Sequence, residues 1–224
     1  MSSYLQSFHN KQSVKQKYLT RLEEHYKQDE IIHGVYWKGG KGCAIGCTVH
    51  SDSHQCYEKE LGIPKWLASL EDSIFEGLQN GKAKEFPLQF LKAIPLGVTQ
   101  QQFQTVYHKF CIFILEDIVK TEKNEKIIKV VTDVITLHKN ELENKPAESA
   151  ARSAAWSAVR SAAWSAAESA AWSAVRFAAR SAAESAAESA AWSAVRSAAE
   201  SAAWSAAFSK MADKLLLLLQ ESNK

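Results

Sequence analysis

Helix-breaking residues are scarce in this 224-residue sequence, and neither glycine nor proline occurs after Pro146. No run of about 18 apolar residues is present, so the sequence contains no candidate transmembrane helix. The first residues include no apolar segment, and we expect no signal peptide. Lysine and arginine number 27 against 25 aspartates and glutamates, so neither charge is in large excess. We therefore expect no membrane partner and no nucleic-acid partner.

Cysteine is also rare. Three of the four cysteines lie between Cys43 and Cys56, a distribution unlike that of secreted disulfide-rich proteins. We therefore expect a cytoplasmic protein whose thiols are reduced. Hydrophobic residues make up 46% of the chain and charged residues 23%, values that are typical of globular proteins and exclude general disorder.

The composition changes at Pro146. All nine glycines, all seven histidines and all four cysteines precede it. From Glu148 to Phe208 every fourth residue is Glu, Arg or Trp, ending in Phe, and nearly all the others are Ala and Ser. Alanine is the strongest helix former, and no glycine or proline interrupts the repeat, so we predict helix throughout. The change in composition predicts two domains, residues 1–145 and 146–224.

The four-residue period determines how the repeat can pack. From one Glu, Arg or Trp to the next, four residues along, the position moves by about 40° around a helix. The tryptophans therefore follow a spiral. One long helix would expose these tryptophans to water, whereas several folded-back helices would bury them. We predict an all-α fold, in which an N-terminal helical domain packs with a folded-back Ala-, Ser- and Trp-rich helical repeat. A single long helix is the alternative, and the sequence leaves homo-oligomer formation open.

The N-terminal domain contains several amphipathic segments. Apolar residues at helical spacing, together with Pro64 at a helix start and Thr99 as an N-cap, predict five helices. These helices cover residues 12–28, 63–78, 86–94, 99–119 and 122–142. Ile31 to Trp37 is the one strand-like run, and a single short strand cannot form a sheet.

Glycine is concentrated before the first cysteine. Five of the nine glycines lie between Gly34 and Gly46. A glycine-rich turn next to a helix start can bring backbone N–H groups close to an anion, lysines favour phosphate, and aromatic rings can stack on a planar group. The candidate ligand-binding residues are His33, Tyr36, Trp37, Lys38, Gly39, Gly40 and Lys41. The alternative is that the glycines only allow a tight loop to pass under the repeat helices.

A cluster of cysteines and histidines follows the glycines. Cys43, Cys47, His50 and His54 are spaced to share one face of a helix. This is a zinc-type ligand set, yet four ligands on one unbroken helix cannot surround a tetrahedral ion. We therefore expect no metal and no other cofactor. Cys43 and Cys47 are predicted to pack in the core beside alanine, and both join His50 among the candidate ligand-binding residues.

The same segment allows a catalytic alternative. Cys43, at the start of a helix, could have a lowered pKa, with His50 or His33 as its base. Glu58 or Glu60 could orient that histidine. This arrangement would make the protein a Cys–His hydrolase, and a metal-assisted hydrolase is the related alternative.

The repeat contributes a second candidate region. The sequence WSAVR places Trp156 and Arg160 four residues apart, so the guanidinium can stack on the indole. Such a pair can hold a nucleobase and its phosphate. The alternative is that the tryptophan fills the core while the arginine extends to water.

The segments YWKGGKGCAIGCTVHSDSH, YEKELGIPKWLASLEDSIFEGL and FLKAIPLGV resemble a family of bacterial and phage-associated proteins. These proteins similarly end in a long Ala-rich repeat and a KMADKLLLLL-like helix, here Lys210 to Leu219. The core G-C-x-x-G-C-x-x-H is specific to this resemblance. The resemblance implies architecture and kinship, and it carries no catalytic role over to Cys43, Cys47 or His50.

We predict a non-catalytic binding protein. Its partner is expected to be an anionic, nucleotide-like small molecule or a protein effector. Given the resemblance to phage-associated proteins, sequestering a nucleotide signal or blocking an effector in bacterial defence is the expected role. A hydrolase and a purely structural helical oligomer are the alternatives.

Overall fold

The computed structural model describes residues 5–51, 53, 55–143 and 189–223, and these residues are mostly helical. The helices are α1 (Gln12–Lys27), α2 (Ala44–Val49), α3 (Lys65–Gly77), α4 (Asn80–Ala93), α5 (Gln100–Thr121), α6 (Glu125–Leu142) and α7 (Ser189–Gln220). Further elements are a 3₁₀ turn (Ser7–Asn10), a π-helical turn (Tyr57–Leu61) and the hairpin strands β1 (Trp37–Lys38) and β2 (Lys41–Gly42). The predicted all-α class is confirmed.

Two compact units contain the described residues. The first holds those up to Val106 and those from Phe208 onward, and the second holds those from Tyr107 to Ala207. Residues 144–188, which include most of the repeat, lie outside the described residues. The division at Pro146 and the folded-back packing of the repeat therefore stay predictions. From Ser189 onward, the end of the repeat and the C-terminal leucine run form one unbroken helix, α7.

The predicted helix starts agree with the local capping chemistry. Pro64 immediately precedes α3, where its missing N–H costs no hydrogen bond. At α5, Thr99 and Gln102 form a reciprocal capping box: the Thr99 N–H donates to the Gln102 side chain at 2.9 Å, and the Gln102 N–H donates to Thr99 Oγ1 at 3.3 Å. The sequence therefore located both starts correctly.

Helix α4 begins earlier than expected. The sequence predicted a helix over residues 86–94. Instead, α3 ends at Gly77, and α4 begins at Asn80 and contains Gly81. Pro87 consequently lies inside the helix, where a proline is costly. Burial of Ala83 and Phe86 on this helix offsets that cost.

Large aromatic and aliphatic side chains form the core of the first unit. Each fully buried apolar side chain contributes about 1.5–3 kcal/mol relative to exposure. Fully buried members include Phe8, Leu22, Tyr57, Phe75, Phe86, Phe90, Phe103, Leu215 and Leu219. Gly77 lets α7 approach α3 closely, because a Cβ at this position would overlap the ring of Phe208. Phe208, which occupies the last Glu, Arg or Trp position of the repeat, thus packs in the core region of the first unit.

The second unit has its own small core, where α6 packs beside the end of α5. Its buried members are Leu115, Val131, Val134 and Ile135. A histidine pair lies nearby, with Nδ1 of His108 and Nδ1 of His138 2.8 Å apart. Burial, and then the neighbouring His108, lower the pKa of His138 to about 4, so this imidazole is neutral at neutral pH.

A carboxyl group lies unusually deep in the first unit. Glu71 of α3 and Tyr57 of the π-helical turn are both fully buried. The hydroxyl of Tyr57 and the carboxyl group of Glu71 act on each other, but neither makes a hydrogen bond of good geometry with a described residue. Burial raises the pKa of Glu71 well above its usual value, so the carboxyl group keeps its proton in the folded protein.

Replacing this acid tests its protonation state. The folded protein holds a proton that the unfolded chain releases above about pH 4.5, so the free energy of unfolding falls as the pH rises, by up to about 1.4 kcal/mol per pH unit. Glu71→Gln removes this dependence, and we expect the variant to be more stable than wild type at about pH 8. Urea unfolding from about pH 5 to 8 measures the effect, with exposed Glu24→Gln as the control. Parallel pH profiles for wild type and Glu71→Gln would contradict it.

Candidate functional site

The chain between α1 and α2 folds back into a short β-hairpin. Trp37 pairs with Gly42 and Lys38 with Lys41 in the antiparallel ladder. Gly39 and Gly40 form the two-residue turn, with φ of 60° and 86°. Such a turn needs positive φ at both positions, which explains the Gly-Gly pair. The strand expected over residues 31–37 is wrong except at Trp37, because β1 covers Trp37–Lys38 and Ile31 forms only an isolated bridge to Gly42. Strand β1 pairs with a second strand that the sequence did not indicate.

The hairpin lies unusually close to α2. A Cβ at Gly42 or at Gly46 would overlap the carbonyl oxygen of Tyr36. The backbone N–H of Cys43 donates to the carbonyl oxygen of Val35 at 2.6 Å. The two glycines of the G-C-x-x-G-C pattern therefore allow backbone to pack on backbone at the start of α2.

Helix α2 ends sooner than the sequence predicted. The helix covers Ala44–Val49, and His50 follows it in the left-handed region, with φ of 52°. The prediction that Cys43, Cys47, His50 and His54 share one helical face is therefore wrong for the first three, and His54 lies outside the described residues. A left-handed conformation is uncommon for residues other than glycine, although histidine adopts it more readily than most, and at His50 it ends the helix.

His50 is the exposed end of a hydrogen-bonded chain that we call the His50 relay, formed by Glu30, His25 and His50. Nδ1 of His25 lies 2.6 Å from Oε2 of Glu30, and Nε2 of His25 lies 2.8 Å from Nε2 of His50. His25 is buried, whereas His50 is exposed. Trp37 stacks on the imidazole of His50, with ring centroids 4.4 Å apart and an interplanar angle of 14°.

The hydrogen bonds determine which ring nitrogens of the relay carry a proton. Glu30 accepts, so Nδ1 of His25 carries a proton. In the neutral relay Nε2 of His25 then accepts from Nε2 of His50, and Nδ1 of His50 has a lone pair. A carboxylate that orients one imidazole, which in turn orients a second, is an arrangement suited to proton transfer.

Arg21 and Glu60 are the other charged groups that act on His50. Nη1 of Arg21 donates to the carbonyl oxygen of Thr48 at 2.9 Å, and Oε2 of Glu60 accepts from the hydroxyl of Tyr18 at 2.5 Å. Burial lowers the pKa of His50, and the charge of Arg21 lowers it further, while Glu60 and Glu30 act in the opposite direction.

Cys43 and Cys47 are not activated as nucleophiles. Cys43 and Cys47 are both buried, as predicted for core packing beside alanine. Burial raises the pKa of each thiol to about 12, so neither is a thiolate at neutral pH. The expectation of a lowered pKa at Cys43 is wrong, because the thiol at this helix start is buried and burial disfavours the thiolate.

The carboxylate that orients a histidine is also a different residue from the expected Glu58 or Glu60. Glu58 accepts from the backbone N–H of Lys65 at 2.9 Å, at the start of α3. Glu60 binds Tyr18, and Glu30 is the carboxylate that orients the relay.

The structure brings together only part of the predicted set. Trp37 and His50 are in contact, whereas His33 packs against Phe75, with ring centroids 4.6 Å apart. Trp37 faces α2, so Lys38 and Lys41 lie on the other face of the hairpin, where both are exposed. Tyr36 is half exposed beside them, and Gly39 and Gly40 have open space around them. Trp156 and Arg160 lie outside the described residues.

Sequence reasoning missed Arg21, His25 and Glu30. One signal was present: His25 continues the buried stripe of Tyr18 and Leu22 on α1, and a histidine on such a stripe needs a polar partner. The identity of that partner depends on the hairpin and was not available from spacing.

No group of three His, Cys, Asp or Glu side chains within the described ranges is placed to hold a metal ion. Among the same residues, no helix is both long enough and apolar enough to cross a membrane.

No family model matches this chain, and no curated protein or solved structure matches it either. The resemblance noted from the sequence therefore stays a prediction, and the site is interpreted from its own chemistry.

The close approach of the hairpin to α2 can be tested by adding one methyl group. Gly46→Ala would place a Cβ against the carbonyl oxygen of Tyr36, so we expect a loss of about 1–3 kcal/mol in the free energy of unfolding. Gly81→Ala is the matched control, because a Cβ there meets no atom and alanine favours the helix. Urea unfolding of both variants measures the difference. Equal stability of Gly46→Ala and wild type would contradict the packing.

Proposed function

We propose that this protein is a non-catalytic binding protein for a small anionic ligand with a planar, nucleotide-like group. The ligand would lie on the surface formed by Arg21, Trp37 and His50, which we call the His50 surface. The observation that carries the proposal is the partly buried guanidinium of Arg21, which binds the carbonyl oxygen of Thr48 and lies over the ring of Tyr18 but forms no ion pair with a carboxylate among the described residues. An anion from solution would compensate this charge beside the exposed imidazole.

The aromatic groups support a planar ligand. The indole of Trp37 and the imidazole of His50 form a nearly parallel stack. A rigid stack of this kind offers a flat surface to a nucleobase, and stacking on a protein aromatic contributes about 1–3 kcal/mol per base.

The two hairpin lysines have a different part in this proposal. Lys38 and Lys41 lie on the face of the hairpin opposite Trp37, so we assign them to attraction of an anion over a distance and not to contact. Such attraction weakens as salt increases, because the Debye length shortens.

The wider role stays a prediction. The sequence resemblance led us to expect a role in bacterial defence, either sequestering a nucleotide signal or blocking a protein effector. The described contacts do not test a role in defence. The contacts favour the small-molecule ligand, because Arg21 and the relay form a small polar site.

Three probes separate the two features of the ligand. Cyclic AMP carries a base and a phosphodiester charge, adenosine carries the base alone, and ribose 5-phosphate carries the charge alone. In isothermal titration calorimetry we expect cyclic AMP to bind more tightly than either partial probe. If none of the three binds at about millimolar concentration, the proposal is wrong.

Variants locate the site. Arg21→Gln keeps a donor for Thr48 but removes the charge, and we expect cyclic AMP to bind about 10- to 100-fold more weakly, the effect of a charged hydrogen bond. The Lys38→Ala/Lys41→Ala variant should bind a few-fold more weakly at low salt and normally at high salt. Lys82→Ala/Lys129→Ala, which removes two exposed lysines elsewhere, is the control. Unchanged affinity in Arg21→Gln, with helicity preserved, would place the site elsewhere.

A hydrolase is the second candidate, and the His50 relay favours it. The neutral imidazole of His50, oriented by His25 and Glu30, is suited to act as a general base on water. The buried thiols do not support the Cys43 version. Recovery of the probe after incubation distinguishes the two functions: intact cyclic AMP supports binding, and a hydrolysed product supports catalysis. The third alternative, a purely structural helical protein, predicts that no probe binds.

A further inference from the structure

The His50 relay can accept one additional proton without losing a hydrogen bond. In its neutral form, Nδ1 of His50 has a lone pair, and both hydrogen bonds of the chain are already made. A proton added at Nδ1 of His50 turns this atom from an acceptor into a donor. The resulting positive charge is balanced through His25 by the carboxylate of Glu30.

Burial opposes protonation of His50 most strongly, and the charged groups around the ring add to or reduce that effect. From α1, Arg21 and His25 act on His50, Glu30 follows α1, and Glu60 faces it from the π-helical turn. Trp37, from the hairpin, stacks on the ring and carries no charge. Arg21 is the charge that most opposes protonation of His50, whereas Glu30 and Glu60 favour it. An anion beside Arg21 would cancel its opposition and leave the two carboxylates to stabilise the proton.

We propose that an anion bound at the His50 surface brings one proton with it, which is held by the His50 relay. This inference rests on the proposed function, because it describes how the same site is regulated. The protein would then capture its anion tightly in a slightly acidic medium and release it as the pH rises. By linkage, the anion and the proton strengthen each other's binding by the same factor.

The left-handed backbone at His50 provides a matched pair of variants. Asparagine tolerates this conformation, so His50→Asn removes the titrating ring with little backbone strain. His9 is also exposed and has a φ of 51°, so His9→Asn is a control with the same chemical change at the same backbone conformation.

The experiment is calorimetric titration with cyclic AMP, whose phosphodiester keeps its single charge over the range tested. Titrations in bis-Tris, imidazole and triethanolamine, which are not anions, give the number of protons taken up from the dependence of the heat on the buffer. We expect wild type and His9→Asn to take up about one proton at about pH 7, and their affinity to fall about tenfold per pH unit above it. His50→Asn should bind more weakly, take up no proton and show an affinity that does not depend on pH.

The outcomes distinguish this inference from the proposed function. If wild type binds cyclic AMP without proton uptake, the coupling is wrong and the binding function stands. If His50→Asn still takes up a proton, the proton does not bind at the His50 relay, and the inference is also wrong. If wild type binds at no pH between about 6 and 8, both the binding function and the coupling fail.

Discussion

The carbonyl oxygen of Tyr36 lies where a side chain at Gly46 would have to be, and the candidate site depends on this close approach. Because the hairpin backbone rests on α2, the next residue, Trp37, reaches the end of that helix and stacks on His50. The left-handed turn at His50 ends α2, and the imidazole meets His25 from α1. Gly42 in β2 and Gly46 in α2 thus allow three segments that are distant in sequence to come together.

The first unit contains two acidic groups in different environments, because Glu30 is partly exposed and Glu71 is fully buried. Oε2 of Glu30 accepts from Nδ1 of His25 at 2.6 Å. Glu71 is fully buried without a hydrogen bond of good geometry to a described residue, and it stays neutral. Burial keeps the carboxyl group of Glu71 protonated, whereas the carboxyl group of Glu30 has a hydrogen-bond partner in His25.

Much of the helical framework could be predicted from sequence, because caps and apolar spacing are local signals. Thr99 and Pro64 identify helix starts through chemistry that involves only their near neighbours. The end of α2 could not be predicted, since no glycine, asparagine or proline marks it and the left-handed residue is a histidine. The spacing of the cysteines and His50 therefore suggested a long helical face that does not exist.

The site was predicted only in part, for the same physical reason. Trp37 and His50 were both candidates, but their contact depends on the hairpin, and the hairpin depends on glycines that also suit an anion-binding loop. The connection from His50 to Glu30 passes through His25, and these three residues come together only in the tertiary structure. Spacing along the chain carries no information about such a contact.

The central claim is that His25 and His50 form one hydrogen-bonded chain with Glu30. Long-range ¹H–¹⁵N correlation spectra of the imidazole rings at neutral pH test it most directly, because they identify which ring nitrogen carries the proton. The account predicts a fixed tautomer for each ring, with the proton on Nδ1 of His25 and on Nε2 of His50. Spectra in which both rings average between tautomers, as an unpartnered surface imidazole does, would contradict it.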